Sequence, residues 1–399
     1  MENQDVPVPD VMKIPIRPDF ATLFRKWSMD DLISNLPKDV RYGIMERLPL
    51  RDAARMSTLS KQWKEAWKTL PSLVFDGEFF REVLGKKRYI KLEYTNIVSK
   101  ILLQHDGPIA KFSLHIPRHI QKHPDDVVLW IMNLSMNCIN DFTLNNWKYS
   151  SPFKLPSQLF GCTNLTVLKL DYCIFNPPSS FKGFPKLVCN YLENIHFPSD
   201  DVVGSFVAKC PSLEKLVIQG EDGNDELPNL VINAPNLKYL TISSTFHSIC
   251  LDGSEALSSV SFTLQKLVDQ KKKRTRNMIK FLTSTCRIEN LSFRKHFVKV
   301  KISENTADSV EDNWSCNLSS KFLQLRSIDV RLNSGSAEEL KLVEFLLACS
   351  PVLHTFNLEF FEELDVDDKM KMSKKLMQFH RAFSNITVFL IFIEGKCDR

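Results

Sequence analysis

Residues 161–170, GCTNLTVLKL, begin a phrase that returns at 210–218 as CPSLEKLVI and at 234–242 as APNLKYLTI. Each contains L-x-x-L-x-L, whose last three positions alternate as a half-buried strand alternates. The phrase also occurs as LPSLVF (70–75), IAKFSL (109–114), INDFTL (139–144), LSSVSF (257–262), IENLSF (288–293), LRSIDV (325–330), LHTFNL (353–358) and ITVFLI (386–391). LVCNYL (187–192) fits except that Asn190 spoils its middle position.

Composition alone produces such strings. With about a third of residues large and aliphatic or Phe, three positions match by chance about 4% of the time, which predicts roughly fifteen hits in this length. The spacing and the preceding residues carry the weight. Matches at 165, 187, 213, 237 and 257 are separated by 22, 26, 24 and 20 residues, within the roughly 20–29-residue period of leucine-rich repeats, which the segment resembles. Gly161-Cys162-Thr163-Asn164, Phe184-Pro185-Lys186, Cys210-Pro211-Ser212, Ala234-Pro235-Asn236 and Cys349-Ser350-Pro351-Val352 all lead into a first leucine. Each Pro disfavours helix at the residue before it and so separates a returning segment from the next strand.

Such repeats stack strands into a parallel sheet on a concave face and return on the convex side as helix or loop. Gaps of 39, 30 and 26 residues lead into 165, and gaps of 31, 37 and 28 follow 257. Irregular repeats with helices or insertions are expected there. Residues between the inward leucines point outward, so Lys169, Lys215, Tyr239 and Thr241 are candidate substrate contacts on the concave face.

A different pattern precedes the repeats. Residues 31–70 read DLISNLPKDVRYGIMERLPLRDAARMSTLSKQWKEAWKTL. Asn35 is a candidate cap two residues before Pro37, which suits a first helical turn. Val40, Ile44, Met45 and Leu48 recur at helical spacing until Pro49 ends the run. A second short helix follows from about Arg51, with Ala53, Ala54, Met56 and Leu59 as its apolar members. Ser60 is the expected cap of a third, on which Trp63 and Trp67 lie four apart. Three helices in about 40 residues bury too little to stand alone.

This string resembles the F-box of plant-type F-box proteins, which packs against a Skp-type adaptor hung on a cullin scaffold. The resemblance implies adaptor contacts at Leu36, Pro37, Leu48, Pro49, Leu50, Leu59 and Trp63. Gly43 departs from a good helix former, at a cost of roughly 0.5–1 kcal/mol relative to Ala. Residues 321–392, with LRSIDVRL, EFLLACSPVLHTFNLEFF, KKLMQFHRAF and ITVFLIFI, resemble the FBD domain that ends many such proteins.

The expected organisation is α/β: a disordered lead-in at 1–28, a three-helix F-box at 29–75, an irregular leucine-rich-repeat solenoid at 76–320 and FBD-like repeats and cap at 321–399. The implied function is the non-catalytic substrate receptor of a Skp-cullin-F-box ubiquitin ligase, holding an unknown protein substrate. Its alternatives are an adaptor-bound scaffold or decoy without degradation, and a nucleic-acid-associated factor using the basic run 271–276.

Other classes find little support. No run of about 18 apolar residues exists to span a membrane, and the N-terminus has four prolines where a signal peptide needs an apolar core. A net charge of +5 spread along the chain argues against nucleic acid. The ten cysteines contain no CxxC and read as reduced thiols of a cytoplasmic or nuclear protein. GxSxG and GxxxxGK[ST] are absent, and no cofactor is expected. His115, His119 and His123 stand four apart, but Pro117 and Pro124 interrupt the helix that would align them on a metal. The 28 phenylalanines read as core filling.

Overall fold

The computed structural model describes residues 33, 36–84, 90–117, 124–135, 139–147, 151–199, 201–220, 226–263, 287–294, 322–332, 337–360, 366–379 and 386–392. The lead-in, Asn35, the basic run 271–276, His119 and His123 lie outside them. The chain divides into two compact units after Leu70.

The first unit holds three short helices, Lys38–Met45, Leu50–Met56 and Lys61–Lys68. Pro37 and Pro49 occupy the N-cap positions of the first two, each with φ of −50°. Pro37 thus sits one position earlier than expected, where a fixed φ and a missing donor are equally harmless. Ser60 is extended, and its hydroxyl accepts the Trp63 N–H at 3.4 Å, as its sequence position implied. Met45, Leu50, Ala53, Trp63, Ala66 and Leu70 form the buried set. Val40 does not join it: five residues at 100° each place it about 140° around the helix from Met45, and it is exposed.

Each of the twelve phrases quoted above runs into a strand, whereas LVEFLL (342–347) and VSKILL (98–103), which fit the same pattern, are helical. Twelve described strands form one parallel sheet in chain order: β1 Ser72–Phe75, β2 Lys111–Ile116, β3 Asp141–Asn146, β5 Val167–Asp171, β7 Cys189–Glu193, β8 Lys215–Gln219, β10 Tyr239–Ser243, β12 Ser259–Thr263, β13 Asn290–Arg294, β14 Ser327–Leu332, β15 Thr355–Phe360 and β16 Thr387–Phe392. The phrase spoiled by Asn190 is among them, as β7. Two parallel pairs, β4 Phe153–Lys154 with β6 Cys173–Ile174 and β9 Glu226–Asn233 with β11 Thr245–Asp252, were not foreseen. Strands β9 and β11 carry the phrase too, as LPNLVI (227–232) and FHSICL (246–251), with Leu227, Leu230 and Ile232 opposite Phe246, Ile249 and Leu251; β4 and β6 are too short to show it. Helices Gly77–Leu84, Ile90–Leu103, Pro124–Ser135, Ala337–Cys349 and Val366–Gln378 fill long intervals, as the irregular spacing implied. His115 lies on β2 rather than on a helix, so four-residue spacing does not align it with a following turn.

Register is set at the start of each strand. The first leucine's N–H closes a turn onto the carbonyl three residues back: Leu165 onto Cys162, Leu187 onto Phe184, Leu213 onto Cys210, Leu237 onto Ala234 and Leu353 onto Ser350. Pro185, Pro211, Pro235 and Pro351 stand second in these turns, where a preset φ is favoured. This is a more specific role than helix disruption. Consecutive turns are also tied together, since Ser212 Oγ donates to the Pro185 carbonyl at 2.7 Å and Asn236 Nδ2 to the Pro211 carbonyl at 2.8 Å. Gly183, at φ +104°, has no room for a side chain, because a Cβ would fall 1.8 Å from the Lys209 carbonyl oxygen.

With starts level, inward residues align in rows. Leu168, Asn190, Leu216, Leu240 and Val260 form one row, and Leu170, Leu192, Ile218, Ile242 and Phe262 the next. Behind β5 and β7 the core is phenylalanine: Phe160, Phe175, Phe181, Phe184 and Phe206 meet with centroids 4.9 to 6.4 Å apart. Cysteines 162, 173 and 210 are free and buried, and burial pushes their thiols up, those of Cys162 and Cys210 to about 11. Cys349 departs from the expectation of reduced thiols: it is disulfide-bonded.

Asn190 breaks the apolar rows. It is 0% exposed, between Leu168 and Leu216, and neither side-chain polar atom has a hydrogen-bond partner among the described residues. Burying such a group unsatisfied costs about 1–3 kcal/mol. Asn190→Leu is therefore expected to stabilise the repeat unit by that order, read as a higher denaturation midpoint in urea.

Candidate functional site

Two surfaces are candidates, one in each unit. In the helical unit the expected contact residues fall into two groups. Pro37 and Pro49 are exposed at their helix starts, and Leu59 is 62% exposed in the turn before the third helix. Leu36 and Leu48 are half-buried, leaving part of each accessible. Leu50 is buried and Trp63 is 0% exposed. Trp63 therefore has no surface to offer a partner and holds the bundle instead: an aromatic in this short helix has the largest apolar area available to fill its interior. The start of the unit is tied by the Arg41 guanidinium donating to the Leu36 carbonyl, and its ends by a hydrogen bond between the Tyr42 and Thr69 hydroxyls.

In the repeat unit the outward positions also form rows. Cys189, Lys215, Tyr239 and Ser259 make one, and Lys169, Tyr191, Val217 and Thr241 the next. Lys215 and Tyr239 are direct cross-strand neighbours, and Thr241 lies one row on beside Val217. Lys169 is joined to the group through Tyr191. The Lys169 ammonium lies 5.1 Å and the Lys215 ammonium 5.2 Å from the centroid of its ring, so both are held by one aromatic quadrupole. Tyr239 is half-exposed, whereas Val217 is 6% exposed on this same face. Neither lysine pairs with a carboxylate among the described residues.

Tyr191 escaped sequence reasoning because its phrase carries Asn190 at an inward position. The outward positions of that phrase, Cys189 and Tyr191, would have revealed it.

A third outward row, at the ends of the strands, is acidic: Asp171 and Glu193 are direct neighbours, followed by Gln219. Asp171 accepts from Asn194 Nδ2 at 2.9 Å, and Asn194 itself is left-handed at φ +50°. Asn is among the residues that tolerate this conformation best. Glu193 has no side-chain hydrogen bond or ion pair among the described residues. Partial burial, reinforced by Asp171, holds its carboxyl above the usual glutamate range against the lowering influence of Lys169.

Comparison with known proteins identifies the family. The F-box domain model matches residues 33–75, and the family described as "FBD-associated F-box protein At5g56370, LRR repeats" matches residues 127–358, over half of the chain. The chain belongs to the FBD-associated F-box proteins with leucine-rich repeats. It is similar to the F-box/FBD/LRR-repeat protein At1g13570 of Arabidopsis thaliana, at 29% identity over 88% of this chain and 96% of that protein. The F-box/LRR-repeat protein At3g26922 of the same plant is 28% identical, over 64% of this chain and 89% of its own length. The F-box/LRR-repeat protein At4g14103 is 30% identical over 54% of this chain and 62% of its own length.

The strained acid of this F-box protein makes a pH test. A raised carboxyl pKa means that the folded state holds its proton more tightly than the unfolded chain does. Below the ordinary glutamate range Glu193 carries no cost; as pH rises through that range to the raised folded pKa, stability falls, and the loss persists at neutral pH. Glu193→Gln is therefore expected to raise Tm at pH 7, with the gain vanishing on acidification below pH ~4. A gain of equal size at pH 3 and pH 7 refutes the assignment.

Proposed function

We propose that this protein is the substrate-recognition subunit of a Skp-cullin-F-box ubiquitin ligase. The helical unit docks a Skp-type adaptor, and the outer face of the sheet holds a protein substrate around Lys169, Tyr191, Lys215, Tyr239 and Thr241. The observation that carries this reading is the pairing of an F-box, matched at 33–75, with repeats matched at 127–358 in one chain. Exposed Leu59, with Pro37 and Pro49, supplies apolar surface that the small unit does not use internally.

In this role the chain contributes no reacting group. It raises the effective concentration of a substrate lysine near the charged conjugating enzyme, which is acceleration by tethering. In this role it acts in the cytoplasm or the nucleus.

Leu59 separates docking from folding. Leu59→Asp is expected to abolish co-purification with a Skp-type adaptor while changing stability by no more than about 0.5 kcal/mol, because the site is exposed. Trp63→Ala is expected to cost about 3–5 kcal/mol and to melt the helical unit. Retained adaptor binding by the Leu59→Asp protein refutes the docking surface. If the wild-type, folded protein fails to bind any adaptor, the ligase role falls. If a captured partner's lifetime is unchanged when the proteasome is blocked, the protein is instead a scaffold or decoy.

A further inference from the structure

Charge on the outer face of β5, β7 and β8 is sorted by row. Lys169 and Lys215 share the Tyr191 ring in the first two rows, while Asp171 and Glu193 occupy the third. Neither ammonium forms an ion pair among the described residues, the Glu193 side chain has no hydrogen bond or ion pair there, and Asp171 accepts from the uncharged Asn194 amide. Elsewhere on the same face opposite charges do pair, Arg331 with Glu359 at 2.5 Å. A fixed dipole therefore remains, with its positive end held on an aromatic ring and its negative end at the ends of the strands.

The rows are two residues apart along a strand, about 6.6 Å at 3.3 Å per residue. An extended peptide lying along the strands presents alternate side chains to the sheet at that same interval. An acidic side chain at one position would meet both ammoniums, and a basic one two positions further on would meet the Asp171–Glu193 pair. For a peptide running parallel to the strands, reversing the order would place like charge over like at both ends, which opposes binding. Tyr191 and the buried Val217 beside it provide a partly dehydrated floor in which such pairs count for more than in open water.

We infer that this patch reads an extended segment of a protein partner carrying Asp or Glu followed two residues later by Lys or Arg, running parallel to the strands. The inference rests on the proposal that the outer face holds the substrate and names that substrate's local chemistry.

The test is selection from a displayed library of random heptapeptides on the immobilised full-length protein. The wild type is expected to enrich an Asp/Glu-x-Lys/Arg pattern at least about tenfold over the Lys169→Glu/Lys215→Glu protein, equivalent to about 1.4 kcal/mol. Replacing all four charges, Lys169→Glu and Lys215→Glu with Asp171→Lys and Glu193→Lys, should select Lys/Arg-x-Asp/Glu. Thermal unfolding of each variant verifies that it is folded. Absence of a consensus, enrichment of acidic residues without the basic partner, or the same consensus from the double variant overturns the inference. Loss of binding to the selected peptides by generic DNA competition at fixed salt, with no charge order among them, overturns it in favour of a polyanion site. Adaptor co-purification is measured on the same preparations: if it persists while the peptide result fails, the dipolar patch is wrong and the ligase role stands.

Discussion

The repeat unit depends on one constraint, that every strand of the long sheet starts level with its neighbour. Where the phrase begins with leucine, the turn before the strand closes on that leucine's N–H, and the next N–H groups bond to the preceding repeat, as Val188 and Cys189 do to the Thr166 carbonyl. Cross-strand rows follow from that alignment. A slip of one residue would turn every leucine outward, so prolines that preset the turn act on the whole core. Side-chain bonds from Ser212 and Asn236 to the preceding turn carry the same alignment from repeat to repeat.

Alignment acts on both faces at once. Inside, it stacks leucines and phenylalanines, with Phe112 on Phe142 and Phe262 on Phe293 as centroid pairs 6.3 and 6.1 Å apart. Outside, it gathers residues from separate repeats, and Tyr191 becomes a pivot for lysines lying 22 positions before it and 24 after it. Strand β7 carries both the least favourable inner residue, Asn190, and the outer residue around which the charges are arranged. Local cost beside an organised surface is a common mark of selection for binding rather than stability.

The helical unit shows how much of a site periodicity can locate. Its three helices, the Ser60 cap and the proline starts were legible because caps and prolines act within a few residues. Which side each residue faced was less so. Val40 looked like core and is exposed, while Leu50 and Trp63 looked like contacts and are buried. In helices of seven or eight residues the apolar stripe is two turns long, and tertiary packing selects the inner side. The pairing of β4 with β6 and of β9 with β11 was invisible for a related reason: it joins segments about twenty residues apart, and the phrase that β9 and β11 carry does not say which sheet a strand joins.

By itself the sequence determined the class of each unit, the twelve strands of the main sheet and the direction their leucines face, because a two-residue period and a proline turn are local and repeat along the chain. Only tertiary structure decided which outward residues became neighbours. Lys169, Tyr191 and Lys215 belong to three repeats, as do Asp171, Glu193 and Gln219. Their rows exist because parallel pairing sets strands about 4.8 Å apart in a common register, a condition that no single repeat contains.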